Sequence, residues 1–275
     1  MKRINGIYFF TLIISLCLTV STIQAQFTAE EIQKRSQIEK LLRSADISKF
    51  EEIGEGVTKP FCFWLQEGEF ELKGCWKNPK GMKDGFLEGW QYEIAAYEID
   101  KLLELNMIPP TVERKFKNKK GSLQFWVDAE MSDLDRMDDG IEIPTEYQDS
   151  WAKGKYMMRA FDSLIANEDR TQQNILYAKP WRIIMIDHSR SFRSSKKFTE
   201  RLVGGRNGIK GVQLMRMLPR KFVENIKALN FENIQNAVGP YLKKKEINAI
   251  LKRRDLLLEE IQYMIKERGE ENFLY

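Results

Sequence analysis

The spacing of apolar residues changes character about half-way along the chain, and this constrains the fold more than any single residue. Between residues 50 and 130, short β-like runs are separated by glycine-containing turns. One interval, residues 90–105, differs: Tyr92, Ala95, Ile99, Leu102 and Leu103 recur at helical spacing. Pro109 and Pro110 stop that helix, because proline disfavours helix in the residue before it. Beyond residue 146 the texture is helical to the end, with residues 241–268 the longest candidate. It is broken by two short strands, 174–177 and 181–186, around Ala178-Lys179-Pro180. A β-rich half with one main helix, followed by a helical half, implies an α+β architecture in two lobes, hinged near residues 128–133.

Two hairpins are expected in the first half. One pairs residues 61–65 with 70–77 through a turn at Glu67-Gly68; the other pairs 111–116 with 123–130 through Asn118-Lys119-Lys120-Gly121. The first turn sets Cys62 opposite Lys73 and Cys75 opposite Pro60, so the cysteines are diagonal neighbours, far for a disulfide, and two free thiols are expected. Residues 78–89 read as a Gly- and Lys-rich loop, and residues 27–45 as a charged helix with Ile32, Ile38, Leu41 and Leu42 as its apolar members.

The N-terminus sets an expected compartment. Lys2 and Arg3 precede an apolar run over residues 7–20, and Ala25 stands before Gln26. This is the pattern of a signal peptide over residues 1–25, and the run is short for a bilayer. The mature chain would begin at Gln26 and be exported, periplasmic or extracellular. No later stretch approaches ~20 apolar residues, so no transmembrane segment is expected. Losing Lys2 and Arg3 brings the 44 basic residues close to the 40 acidic ones, and a near-balanced chain gives no electrostatic argument for nucleic acid.

The residues with the strongest chemical pattern lie in LIANEDRTQQNILY and WRIIMIDHSRSF. A helix ends, Asp169-Arg170 follows in a loop, Asn174 comes five residues after Asp169, and an apolar strand delivers Asp187. Phosphoryl transfer needs a carboxylate beside the acceptor hydroxyl, and an amide with a second carboxylate to hold metal ions on the phosphates. A hairpin that returns Asp187 beside Asn174 brings such groups together.

These segments resemble a family. EIAAYEIDKLLELNMIPPTVER, FDSLIANEDR and IDHSRSF are similar to the helix and PPTVGR-type strand, the FDFLIGNMDR-type loop and the LDNGRGF-type metal motif of the secreted Golgi casein kinases. The Asp-Arg-x-x-x-Asn spacing also resembles phosphoinositide kinases and HipA-like kinases. The resemblance spans residues 54–192, and the C-terminal third matches only in being helical. It implies a two-lobed protein-kinase-like fold: residues 26–48 as a helical extension, 49–130 as a β-rich N-lobe and 131–275 as a helical C-lobe. Asp169 becomes the catalytic carboxylate, Asp187 the metal ligand, and Glu93 the helix glutamate that pairs with the nucleotide-binding lysine. Asn174 follows the phosphoinositide-kinase pattern as a second metal ligand. Helical spacing alone would leave Glu98 as a rival to Glu93; the match to EIAA selects Glu93.

The lysine is chosen on physical grounds. Lys73 and Lys77 share a strand face. In a kinase lobe the residue two before the lysine faces the adenine, and must be small and apolar. Cys75 meets that demand for Lys77, whereas Glu71 fails it for Lys73. Gly54-Glu55-Gly56 is a candidate phosphate-covering turn, since glycine permits close backbone approach, although the usual third glycine is missing. After Asp187, six basic residues (Arg190, Arg193, Lys196, Lys197, Arg201, Arg206) face the acceptor side or form a solvated loop. His188, the only histidine, reads as a loop residue without a chemical role. No A-P-E or H-R-D sequence is present, so ordinary peptide docking is unsupported. The expected protein is therefore an exported atypical kinase. It would use ATP or another nucleoside triphosphate with Mg²⁺ or Mn²⁺, and phosphorylate a hydroxyl on an unidentified protein, glycan or lipid. The alternative is an exported pseudokinase that binds without turnover.

Overall fold

The computed structural model describes residues 27–54, 59–83, 85–211 and 213–275. The expected signal peptide and Gly56 lie outside them. Helix α1 (Ala29–Ser44) starts at Thr28, whose hydroxyl accepts from the Glu31 N–H while the Glu31 carboxylate accepts from the Thr28 N–H. The chain then forms β1 (Asp46–Glu52), β2 (Phe61–Glu67), β3 (Phe70–Lys77), β4 (Lys80–Lys83), β5 (Phe86–Gly89), α2 (Trp90–Leu102), β6 (Thr111–Phe116) and β7 (Lys119–Phe125). Five of these strands make an antiparallel sheet in the order β1-β2-β3-β7-β6.

Alternation along the strands sorts the faces of this sheet. Phe63, Leu65 and Trp76 are buried with Leu41 and Leu42 of α1, so the helix covers one face. Cys62, Cys75 and Lys77 point to the other face, where α2 lies. Gly121 allows β7 to press against β3: a Cβ there would fall 2.4 Å from the Lys77 carbonyl oxygen and 2.7 Å from the Trp76 ring.

Past β7 come β8 (Met131–Ser132), α3 (Asp133–Asp138), α4 (Gln148–Ile165), β9 (Ile175–Ala178), β10 (Arg182–Met185), α5 (Lys196–Glu200), α6 (Arg220–Ala228), α7 (Phe231–Val238), α8 (Lys244–Arg268) and α9 (Glu270–Phe273). A small sheet runs β10-β9-β8. The main core joins Tyr97 and Ile99 of α2 to Phe161 and Leu164 of α4 and to Ile250, Leu257 and Ile261 of α8. Helix α2 thus belongs to both halves, and its Tyr92 hydroxyl donates to Glu246 of α8 at 2.7 Å. Among the described residues, no helix is long and apolar enough to cross a membrane.

The structure corrects three local expectations. The first hairpin turns at Gly68 and Glu69, because Gly68 takes a positive φ of 62° and a two-residue turn needs that freedom there. Moving the turn by one residue places Cys62 opposite Cys75 and Lys73 opposite Trp64. The second hairpin turns at Lys117 and Asn118, both at positive φ, so β7 begins at Lys119. Finally, residues 80–83 and 86–89 are no loop: Lys80–Lys83 pairs with Phe86–Gly89, with Gly85 at φ 81° before the second strand.

Candidate active site

Helix α4 ends where Ala166 turns left-handed at φ 51°, and the loop Asn167-Glu168-Asp169-Arg170 follows. Arg170 makes this loop rigid. Its Nε and Nη2 donate to the two carboxylate oxygens of Asp162, each at 3.0 Å, one turn back on α4. Its Nη1 donates to the carbonyls of Asn174, at 2.8 Å, and Ile186, at 2.6 Å. One planar fork therefore joins the end of α4, the loop and the exit of β10. Asn167 Nδ2 also donates to Asp162, and its Oδ1 accepts from the Asp169 N–H.

Asp187 follows β10 in a left-handed conformation, φ 57°, which aims its carboxylate back at β3. Lys77 Nζ lies 3.4 Å from Asp187 Oδ2 and 3.5 Å from Glu93 Oε1. Glu93 sits in the first turn of α2, and its other oxygen accepts from the His188 N–H at 2.9 Å. Burial pulls the Lys77 ammonium down, but Asp187 and Glu93 outweigh it and hold it above the usual lysine range. Burial raises Glu93 to about 7 against the opposing pull of Lys77. For Asp187, burial is overcome by Lys77 and the Ser189 hydroxyl, and the carboxyl stays below the usual range. Glu98, the rival on α2, pairs with Lys101. Lys73 lies over the Trp64 ring, 5.2 Å from its centroid, away from this cluster.

Asp169 pairs with Arg190. Arg190 Nη1 lies 3.3 Å from Asp169, while its Nε and Nη2 hold Glu88 at 2.8 and 2.7 Å. Burial raises the Asp169 carboxyl and Arg190 opposes the rise. Asn174 is tied to the same loop, its Nδ2 donating to the Asp169 carbonyl at 3.1 Å. The Asn174 carbonyl accepts from Ile186 N–H, one residue before Asp187. Gly54 lies just past β1, with nothing within 4 Å of where a Cβ would stand.

His188 differs from expectation. It is fully buried, and its Nε2 accepts from Arg170 Nη2 at 2.8 Å, which places the ring proton on Nδ1. Burial and the adjacent Arg170 hold it neutral, well below the usual histidine range. It braces the Arg170 fork against the segment after Asp187. The basic stretch is also largely engaged: Arg193 pairs with Glu168, Arg206 with Glu260, and Arg201 donates to the carbonyls of Asn207 and Gly208.

The sequence reading assigned no role to Glu88, Asp162 or Ser189. Glu88 meets Arg190 across 102 positions, and no local pattern reveals that. Asp162 had a signal: a carboxylate eight residues before an arginine, on the inward face of α4.

Solved structures share this architecture. The structure of hydra Fam20 with sugar matches with a TM-score of 0.64 and 15% identity, over 92% of this chain and 95% of that one. The Golgi casein kinase with Mn/ADP bound matches at 0.63 and 15% identity, over 88% of this chain and 79% of that one. This chain shares the two-lobed fold of hydra Fam20 and the Golgi casein kinase. A Helicobacter pylori proinflammatory kinase, CtkA, matches at 0.50 and 12% identity, over 84% and 97% of the two chains. The sequence matches no protein-family model and no curated protein. At these identities the likeness is one of fold, and it agrees with the resemblance carried by the three sequence segments.

The donor chemistry suits a hard cation. No three His, Cys, Asp or Glu side chains converge as a metal cage among the described residues. Mg²⁺ or Mn²⁺ beside a nucleotide needs no such cage, since one or two protein oxygens suffice when phosphates and water complete the shell. Asp187, whose side chain is 31% exposed, and Asn174 are the residues that would hold it.

Proposed function

We propose that the protein is an exported, metal-dependent phosphotransferase of the atypical kinase type, moving the γ-phosphate of ATP or a related triphosphate to an acceptor hydroxyl. The observation that carries this reading is Lys77 held between Glu93 and Asp187, at 3.5 and 3.4 Å. A lysine fixed by a buried helix carboxylate presents its charge to phosphate oxygens without reorganising. In this reading Lys77 binds the nucleotide phosphates, Glu93 orients Lys77, and Gly54 stands on the phosphate side. Asp187 and Asn174 would hold the divalent cation, which would supply neutralisation of the phosphate charge. Asp169 accepts the proton of the acceptor hydroxyl, so its ionised form is the working one.

A second reading, an exported pseudokinase, has one observation in its favour: Arg190 already occupies a carboxylate oxygen of Asp169. Release of phosphate from ATP by the purified chain, with Mg²⁺ or Mn²⁺ and without acceptor, separates the two. Metal-dependent turnover supports the kinase. Binding of nucleotide with no turnover to water or to any protein, glycan or lipid acceptor supports the pseudokinase.

A further inference from the structure

Cys62 and Cys75 face each other directly across β2 and β3. The hairpin turn defines what kind of pair they make. Glu67 and Phe70 close the two-residue turn as a hydrogen-bonded pair, and the two kinds of pair alternate from there. Five pairs further along, Cys62 and Cys75 occupy a non-hydrogen-bonded pair. Opposed Cα atoms in such pairs lie about 4.5 Å apart, with side chains on one face and close together. That separation falls at the short end of what a disulfide spans, roughly 4.4–6.8 Å.

Both sulfurs are thiols in the structure, Cys62 buried and Cys75 half-buried. Burial pushes the Cys62 thiol up, and pushes Cys75 to about 11. Once the lobe is packed, neither thiol offers much thiolate at neutral pH, and thiolate is the attacking species.

We infer that Cys62 and Cys75 are a disulfide site, joined across β2 and β3 when the chain folds in an oxidising compartment. This rests on the proposed export, because such bonds persist outside the reducing cytosol. One cysteine thiolate attacks a disulfide oxidant such as glutathione disulfide, giving a mixed disulfide and releasing one glutathione thiolate. The second cysteine thiolate then attacks the protein sulfur of the mixed disulfide and displaces the other. The protein loses two protons and two electrons, and glutathione disulfide is reduced to two thiols. The bond ties β2 to β3 two residues before Lys77.

The test uses the full chain carrying Cys17→Ser, refolded in glutathione disulfide or in dithiothreitol, then denatured and alkylated with N-ethylmaleimide. Mass measurement is expected to show no adduct after oxidative refolding and two adducts after reductive refolding. A peptide linking Cys62 to Cys75 appears only in the first. The oxidised form is expected to melt roughly 5 °C higher, and Cys62→Ala to abolish that difference. Two alkylated thiols after oxidative refolding, glutathione retained on either cysteine, or a link between two chains would overturn the inference. Because the refolding uses purified protein in a defined buffer, a failure of export leaves this result standing, and export is read separately from the mass of the mature N-terminus.

Discussion

Arg190 stands 3.3 Å from Asp169, and Glu88, buried beneath it, holds its guanidinium in place. The contact sets the ionisation of the proposed base. Burial raises Asp169 and Arg190 counters the rise, so removing Arg190 lets the carboxyl titrate at higher pH. Turnover needs the ionised form, so the acid limb of the rate–pH profile is expected to move to higher pH in Arg190→Gln. A Glu88→Gln variant, which loosens the arginine, should shift it less. An unmoved limb in both variants would remove Arg190 from the ionisation of Asp169.

Lys77 and Glu93 are expected to act as one unit. Lys77→Ala and Glu93→Ala should each weaken nucleotide binding, and the double variant should lose little more than either single one. Lys73→Ala should leave binding near wild type, because that side chain lies on Trp64. Calorimetric titration of nucleotide into wild type and the four variants checks this; additive losses would dissolve the pair.

The legible part of this site was the part close in sequence. Asp169, Asn174 and Asp187 are linked by a loop and one short hairpin, so their meeting follows from local chain reversal. Lys77 could be separated from Lys73 because Cys75 and Glu71 differ in what they place beneath a base. The Glu88–Arg190 contact was not legible, since it depends on how a hairpin read as a loop folds over the segment after Asp187. The register of β2 and β3 failed for a smaller reason. Both candidate turns contain Gly68, and only the left-handed φ at its position decides between them. That one-residue difference turned a diagonal cysteine pair into a direct one.

The Arg170 fork makes a stability prediction independent of turnover. Removing Arg170 leaves the Asp162 carboxylate buried without its partner, and breaking a buried pair in this way costs about 3–5 kcal/mol. Arg170→Ala should show that loss in urea denaturation. Arg170→Lys should recover only part of it, because an ammonium cannot serve two carboxylate oxygens and two carbonyls in one plane. A loss below about 1 kcal/mol in both would mean the fork does not hold the loop.

Asp100 gives the chain a pH dependence of the opposite sense to that of a carboxylate held low by a neighbouring cation, such as Asp187 beside Lys77. Burial raises it to about 7, against the Met107 and Ile108 N–H groups that donate to it. A carboxyl raised above its unfolded value binds more protons folded than unfolded. Its stabilising contribution is full below about pH 4 and is lost as pH rises through about 7. Asp100→Asn should remove that slope, so the variant gains on wild type by a few kcal/mol at most, on the order of the full shift, between pH 5 and 8. Parallel curves for the two proteins would contradict the assignment.

Replacing Asp169 should separate chemistry from binding. Asp169→Asn keeps the shape of the loop and loses the proton acceptor, so transfer to an acceptor is expected to fall by about 10²–10⁴. Nucleotide affinity should stay near wild type. An unchanged rate, measured by phosphate transfer under saturating nucleotide, would take the catalytic role away from Asp169.

The most direct test of the nucleotide–metal site is the thermal shift of the purified chain on titration with ATP, with and without Mn²⁺, in wild type and Asp187→Ala. The geometry of Lys77 between Glu93 and Asp187 predicts that ATP with Mn²⁺ raises the wild-type melting temperature well above the effect of ATP alone. In Asp187→Ala the metal-dependent part should vanish, because the phosphates lose the carboxylate that anchors the cation. An equal metal-dependent shift in both proteins, or none in the wild type, would contradict the site.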